Sequence, residues 1–140
     1  MFDNNPGLTV SASFPSDWQT VSHALDLVEN FVETSQHCTG LREKLAIIVE
    51  ELVANLVEFG HCPADQSIDI RIEQRGDDVQ LVMSDAGVFF DPRLVKRPDG
   101  LPPARGGGTG IALILSWSRD VSYELRGGRN VLELIIPGDG

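Results

Sequence analysis

The stretch IIVEELVANLVEF, residues 47–59, decides how the rest of the chain is interpreted. It lies in a segment spanning about residues 41–60, in which apolar residues recur at intervals of three and four. This spacing predicts a helix with one apolar face, which would consist of Leu45, Ile48, Val49, Leu52, Leu56 and Phe59.

A carboxylate and a carboxamide share a neighbouring stripe of this helix. Glu51 and Asn55 are four residues apart, so their side chains stack at the edge of the apolar face, and Glu58 lies close to the same stripe. Such a pair can bind a cation and transfer a proton. A solvated helix edge has the same pattern, and the helix taken alone favours that plainer interpretation.

Composition narrows the range of partners. The chain has 140 residues, of which 41% are hydrophobic and 23% charged, as in a single soluble domain with a real core. The net charge of -10 argues against direct binding of nucleic acids or anionic membranes, both of which require a basic surface. A basic protein partner stays open, as does an anionic ligand held at a locally polarised site.

The cysteines and the first residues predict a cytoplasmic protein with reduced thiols. No run of 18 apolar residues occurs, and residues 1–7 lack the features of a signal peptide. The pairs His37-Cys38 and His61-Cys62 resemble metal ligands, but they flank a helix that is about 30 Å long. They therefore cannot share one zinc ion or form a disulfide.

The periodicity along the chain predicts the order β-α-α-β-β-loop-α-β-β. This order describes an α/β two-layer sandwich with helices on one face of a mainly antiparallel mixed sheet. Beside the 41–60 helix, the predicted helices cover residues 18–35 and 109–118, and the predicted strands cover 8–14, 67–74, 79–83, 121–125 and 130–136.

A long aperiodic segment between residues 85 and 110 is predicted to form a binding loop. At its start, Asp85 follows a strand, where it can accept a hydrogen bond from an exocyclic amine such as that of adenine. Gly87 would let the backbone approach a flat ring, although Asp-x-Gly alone is usually just a turn. At its end, the run 106–110 (GGGTG) precedes a helix, which suits either a phosphate chain or a flexible hinge.

Two familiar phosphate-binding loops are excluded. The P-loop requires Gly-Lys-Ser/Thr, and the only lysines here are Lys44 and Lys96. The Rossmann spacing of glycines is not met, and the residues after Gly110 are too few for that fold.

The order of three motifs resembles the GHKL superfamily of ATP-binding proteins. These motifs are ELVAN at 51–55, DAGVFFDP at 85–92 and GGTGI at 107–111. Within that superfamily, the chain is most similar to the small anti-sigma-factor serine/threonine kinases of the RsbW and SpoIIAB type. The resemblance covers about residues 8–136 and implies one domain, residues 1–140, with a Bergerat-type ATP-binding fold and an ATP lid at about 92–107.

The resemblance also implies roles for individual residues. Glu51 would be the general base that activates a serine or threonine hydroxyl, Asn55 would hold Mg²⁺ on the ATP phosphates, and Asp85 would recognise adenine. The other residues implied to contact ATP are Gly87, Phe90, Arg105, Gly107, Gly108, Thr109, Gly110 and Ile111. The implied partners are a sigma factor or similar regulator and a STAS-type antagonist, and relatives of this type commonly form homodimers.

Two positions depart from the pattern of these kinases. Phe59 stands where the family often has a histidine, and Leu25 stands where an arginine of the first helix commonly docks the antagonist. The sequence therefore leaves an alternative open, a nucleotide-dependent module that sequesters its partner without kinase activity.

Overall fold

A computed structural model describes residues 8–35, 39–88 and 107–138 of the chain. Strand β1 (Thr9–Phe14) leads into helix α1 (Gln19–Thr34), and a single 3₁₀ turn (Thr39–Leu41) leads into helix α2 (Arg42–Phe59). The remaining elements are β2 (Ile68–Arg75), β3 (Asp78–Asp85), α3 (Gly107–Trp117), β4 (Arg119–Arg126) and β5 (Arg129–Ile136). The three α-helices and five strands were expected from the sequence to within a few residues.

The five strands form one sheet in the order β1-β2-β3-β5-β4. Every neighbouring pair among these described strands is antiparallel. The hairpins β2–β3 and β4–β5 follow from the glycine turns at Gly76 and Gly127-Gly128, whose positive φ values suit residues without a Cβ. The central position of β3 results from its pairing with β5, which comes more than 40 residues later in the chain.

The helices cover one face of this sheet. Along β3, buried side chains alternate with half-buried ones, so one side of the strand faces the core and the other faces water. The buried side packs against α1 and α2 in one apolar cluster. Its largest fully buried members are Phe31, Leu45, Ile48, Ile68, Ile70, Ile72, Leu81, Ile114, Leu134 and Ile136.

The apolar face of α2 differs at its end from the predicted one. Leu45, Ile48 and Leu52 are buried as expected, but Phe59 is 45% exposed. Its prediction as a core residue was wrong, because burial fades over the last helical turn, where the neighbour of α2 is a loop rather than the sheet. Asn55, expected at a half-buried edge, is only 8% exposed.

The start of α1 is fixed by a local network. The Asp17 carboxylate accepts a hydrogen bond from the Thr20 N–H at 3.2 Å, which satisfies one of the unpaired donors of the first helical turn. The hydroxyl of the fully buried Thr20 donates to the Pro15 carbonyl. This network sets the position of Trp18, which lies between these residues at the entrance to the helix.

Candidate functional site

Helix α2 presents Glu51 and Asn55 on one stripe, as the sequence predicted. Four residues correspond to a rise of about 6 Å along a helix, so the two side chains are one turn apart. The Asn55 side chain is buried, whereas Glu51 is half-buried and lines a groove between α1 and α2. Within the described part of the chain, the Asn55 carboxamide makes no hydrogen bond. The atoms of this carboxamide are not among the fully buried polar atoms of the described chain that lack a partner, so they reach the surface, where they are open to a ligand.

Asp85 is the last residue of β3 and is only 3% exposed. The alternation of β3 points it to the same side of the sheet as Met83 and Leu81. Its Oδ2 atom accepts hydrogen bonds from the Gly87 N–H at 2.8 Å and from the Asn130 amide at 3.3 Å. No described residue donates to Oδ1, so one carboxylate oxygen is left for a ligand that carries a donor.

Burial raises the pKa of the Asp85 carboxyl above its ordinary value. Hydrogen bonds from the Gly87 N–H and from Asn130, together with the charge of Arg129, oppose this effect and lower the pKa. Arg129 is itself anchored at the same end of the sheet, donating to the Ser67 carbonyl at 2.8 Å. The site therefore holds a desolvated carboxylate that a hydrogen-bond donor would stabilise.

Asn130 is a neighbour of the candidate site that the sequence did not reveal. It is directly opposite Asp85 in the antiparallel ladder and is 2% exposed. Its Nδ2 atom donates to the Gly87 carbonyl at 2.9 Å and to the Val88 carbonyl at 3.3 Å, besides Asp85. Three surrounding acceptor oxygens fix the orientation of this amide. The only sequence signal was a polar residue near the start of β5, on the face of the strand whose other residues are apolar.

The loop after Asp85 packs directly against the end of α2. The Val88 N–H donates to the Gly60 carbonyl at 2.6 Å. A Cβ atom on Gly87 would lie 2.1 Å from that same carbonyl oxygen. The glycine is therefore required for close approach of two backbones, and this contact joins the Asp85 loop to the helix that carries Asn55.

We expect Gly87→Ala to destabilise the fold by about 1–3 kcal/mol, because the added methyl forces the two backbones apart. It should also weaken nucleotide binding, since the displaced loop carries Asp85. Chemical unfolding and nucleotide titration would measure the two effects. Gly76→Ala is the control, because its Cβ meets nothing within 4 Å and only its φ of +62° is unfavourable. If Gly76→Ala lost as much nucleotide affinity as Gly87→Ala, the loop after Asp85 would have no special role in nucleotide binding.

The glycine run forms the first turn of α3 rather than a loop in front of it. The helix begins at Gly107, two residues before the predicted start at Thr109. Gly107, Gly108, Thr109 and Gly110 therefore supply backbone N–H groups that have no partner within the helix. The side chains of Thr109 and Ile111 lie outside the described part of the structure. Phe90 and Arg105 lie outside it entirely, as does the predicted lid at about 92–107 apart from its last residue, Gly107.

Within residues 8–35, 39–88 and 107–138, no group of three or more histidine, cysteine, aspartate or glutamate residues could hold a metal ion. His37 and Cys38 lie outside the described residues. None of the described helices is both long and apolar enough to span a bilayer.

Comparison with known families decides what kind of site this is. The sequence model of one family, the histidine kinase-like ATPase domain, matches residues 14–136. The chain belongs to this family. As a histidine kinase-like ATPase domain it is expected to bind ATP, and the GHKL-type recognition made from the motifs is confirmed.

One curated relative of this ATPase domain is the serine/threonine-protein kinase BtrW of Bordetella bronchiseptica. The two are 28% identical over 119 residues, which cover 82% of this chain and 84% of BtrW. The family match and this similarity agree with kinase-like chemistry.

Two solved structures are similar to the ATPase domain. The RsbU and RsbW domains of Rv1364c from Mycobacterium tuberculosis match with a TM-score of 0.67 and 12% identity over 95% of this chain. This chain spans 33% of that longer one. The catalytic domain of the histidine kinase ThkA matches with a TM-score of 0.51 and 13% identity, covering 92% of this chain and 97% of that one. The likeness confirms the predicted α/β sandwich of the Bergerat type.

Proposed function

We propose that this ATPase domain is a serine/threonine kinase that phosphorylates an antagonist protein and also binds a sigma factor or an equivalent regulator. One observation carries the proposal. Glu51 stands one helical turn from Asn55 on the same stripe and lines an open groove between α1 and α2. A carboxylate in that position is accessible to a hydroxyl presented by a second protein.

Adenine recognition is assigned to Asp85. An ionised carboxylate with one free oxygen, held from the other side by Gly87 and Asn130, fits the amino group of adenine. Guanine carries an acceptor at the equivalent position, which would face a buried negative charge. The pair Asp85 and Asn130 therefore favours ATP over GTP.

Asn55 is assigned as the protein ligand of Mg²⁺. Its carboxamide makes no hydrogen bond with the described residues and reaches the surface, so its oxygen is available to a hard cation that prefers oxygen ligands. The ion would supply positive charge that neutralises the charge developing on the phosphates. One neutral protein ligand suits an ion that keeps several waters and binds mostly to phosphate oxygens.

Glu51 is assigned as the general base. Its carboxylate accepts the proton of a serine or threonine hydroxyl as the hydroxyl oxygen forms a bond to the γ-phosphorus. The bond from that phosphorus to the bridging oxygen breaks, ADP leaves, and the proton remains on Glu51. The domain contributes alignment and charge neutralisation, which dominate catalysis of phosphoryl transfer.

The order of these groups along α2 supports the assignment. From the contact between Gly60 and the Asp85 loop, Asn55 lies about 7.5 Å along the helix axis and Glu51 about 13.5 Å along it. A nucleotide whose adenine binds at Asp85 would have its phosphates near Asn55 and its terminal phosphate near Glu51. The glycine N–H groups at the start of α3 would bind the same phosphates.

Further parts of the proposal rest on the sequence motifs. Residues 1–140 would be one domain that works in the cytoplasm, with a lid at 92–107 in which Phe90 and Arg105 contact ATP. The antagonist would be of the STAS type, and the domain would form a homodimer. These statements are supported by the motif order and remain to be tested.

Asn55→Ala should weaken nucleotide binding by about tenfold or more in the presence of Mg²⁺, because an oxygen ligand of the ion is lost. With a chelator present, the variant and the parent should bind alike. Isothermal titration under both conditions measures the difference. The fold should change little, since the carboxamide makes no hydrogen bond with the described residues. Equal weakening with and without Mg²⁺ would refute the assignment.

Labelled ATP, Mg²⁺ and the antagonist encoded beside its gene test the kinase directly. Transfer of label to a serine or threonine of the antagonist supports the proposal. Tight ATP binding with no transfer supports the sequestering module instead. The half-buried position of Glu51 on an open groove favours the kinase.

A further inference from the structure

Arg129, the first residue of β5, connects the ends of three strands. Its Nη2 atom donates to the Ser67 carbonyl at 2.8 Å, just before β2, and to the Ser84 carbonyl at 3.2 Å, near the end of β3. The same atom lies 3.3 Å from an oxygen of the Asp69 carboxylate on β2. These contacts hold the guanidinium at the end of the sheet from which the Asp85 loop leaves.

The guanidinium and the Asp85 carboxylate lie on opposite faces of the sheet. Side chains alternate along a strand, so the inward direction of Asp85 places the Ser84 hydroxyl on the outer face, where Arg129 meets it at 3.3 Å. The Ser84 carbonyl that Arg129 binds belongs to the peptide bond leading into Asp85. Arg129 therefore acts on Asp85 from behind, without contacting a ligand that binds to the carboxylate.

The charge of Arg129 opposes the desolvation of Asp85. Burial raises the pKa of the Asp85 carboxyl, and Arg129 is the one charged side chain among the described residues that lowers it. The Asp69 carboxylate, which is ion-paired with Arg129, offsets part of this positive charge. The two residues therefore have opposite effects on the negative charge of Asp85.

The other charged groups near this end of the described sheet do not act on Asp85 in the same way. Arg126 of β4 lies opposite Arg129 in the strand ladder, but it pairs with Glu124 at 2.8 Å and with Glu133 at 2.9 Å. The end of α2, against which the Asp85 loop packs, contributes Glu58 and His61. None of these groups is among the causes that shift the pKa of Asp85.

We propose that Arg129 is a positioning residue for ATP recognition, which holds a positive charge behind the Asp85 loop and so supports Asp85 as a charged acceptor for the adenine amino group. The proposal rests on adenine recognition by Asp85 and is independent of the kinase function. It assigns part of the affinity for the base to a residue on the opposite face of the sheet.

Carboxyl-carbon NMR of the nucleotide-free protein tests the electrostatic step. Arg129→Gln removes the positive charge, so Asp85 should titrate at higher pH than in the parent. Asp69→Asn removes the offsetting negative charge, so Asp85 should titrate at lower pH. Arg129→Lys keeps the charge and should restore the titration of the parent. Arg126→Gln changes the net charge as Arg129→Gln does and should leave Asp85 unchanged. Titration of Asp85 at the same pH in all of these proteins would overturn the proposal.

Nucleotide titrations test the effect on recognition. At a pH within the titration of Asp85, Arg129→Gln should bind ATP about threefold to tenfold more weakly than Arg126→Gln. At higher pH, where Asp85 is ionised in both proteins, the two should bind ATP alike. Purine riboside triphosphate, which lacks the amino group, should bind both alike at either pH. Equal weakening of the two nucleotides at every pH would indicate a merely structural role and overturn the proposal.

A double-mutant cycle closes the test. In the Asp85→Asn background, Arg129→Gln should have no further effect on ATP affinity, because the group on which it acts is gone. The same loss in both backgrounds would overturn the proposal. Should Arg129→Gln fail to fold, Asp69→Asn decides the proposal through its opposite shift, since Ser67 and Ser84 still hold the guanidinium in that variant.

Failure of this proposal can be distinguished from failure of adenine recognition. If Asp85→Asn weakens ATP and purine riboside triphosphate alike, adenine recognition fails, and the positioning role of Arg129 in ATP recognition fails with it. If Asp85→Asn weakens only ATP, but Arg129→Gln and Asp69→Asn leave ATP affinity unchanged at every pH, adenine recognition stands and the proposal for Arg129 fails alone.

Discussion

Glu51→Gln is expected to lower the rate of phosphoryl transfer to the antagonist by about a hundredfold to ten-thousandfold, the usual contribution of a positioned general base. Glutamine keeps the size of the side chain and its hydrogen-bonding capacity but cannot accept the proton. ATP binding should therefore be unchanged, because Asn55, Asp85 and the glycine turn are intact. Single-turnover assays with labelled ATP and saturating antagonist would measure the rate, and titration would measure the affinity.

The matched control for this variant is Glu43→Gln. Glu43 is an exposed glutamate in the first turn of the same helix and is not among the residues lining the groove. It should transfer phosphate at the parent rate, with only a small change in stability from the helix dipole. A Glu51→Gln variant that transfers phosphate as fast as Glu43→Gln would exclude Glu51 as the base.

Asp85→Asn is expected to weaken ATP binding by about tenfold to a hundredfold, because a hydrogen bond to a charged acceptor is worth about 1.5–3 kcal/mol. Purine riboside triphosphate, which lacks the amino group, should bind the parent and the variant alike. The two titrations together assign the loss to the amino group rather than to general damage. Equal loss for both nucleotides would contradict adenine recognition by Asp85.

The same variant should make the nucleotide-free protein more stable at neutral pH. Because burial raises the pKa of Asp85 in the folded state, the native protein binds more protons than the unfolded chain between the ordinary and the raised pKa. The free energy of unfolding therefore falls as pH rises through that window, and the loss is complete above the folded pKa. Asp85→Asn removes this component, so thermal unfolding from acid to neutral pH should show a smaller decline than in the parent.

Nucleotide affinity has the opposite pH dependence. The carboxylate that accepts from adenine forms as pH rises through the raised pKa, so ATP affinity should increase over that window. ATP affinity of Asp85→Asn should lack that increase. The ATP phosphates titrate alike with both proteins, so subtracting the variant's affinity profile from the parent's isolates the effect of Asp85. Functional sites commonly contain a group that lowers the stability of the free protein and strengthens binding of the ligand.

The helices and hairpins could be predicted from the sequence because they depend on residues that are close together along the chain. The spacing of Ile48 and Leu52 predicts a buried face, and the alternation of Ile68, Ile70 and Ile72 predicts a strand. The stripe of Glu51 and Asn55 follows from helical geometry alone. The position of Asp85 at a strand end follows from the turn after it. The family resemblance followed from the order of these motifs.

The prediction for Phe59 failed because burial depends on what lies opposite a side chain. Helical spacing assigned it to the apolar face, but the last turn of α2 faces a loop. The predicted start of α3 was two residues late because Gly107 and Gly108 have low helix propensity. Both errors lie at helix ends, where local rules are weakest.

The sequence by itself determined the elements, their order and the shared stripe of Glu51 and Asn55 on α2, since these depend on side chains within a few positions of one another. Only the tertiary structure decided which distant groups meet. Asn130 reaches Asp85 across 45 residues, and the groove between α1 and α2 exists because two helices pack side by side. Such contacts are set by strand pairing and by the volume of the core, which local periodicity does not contain.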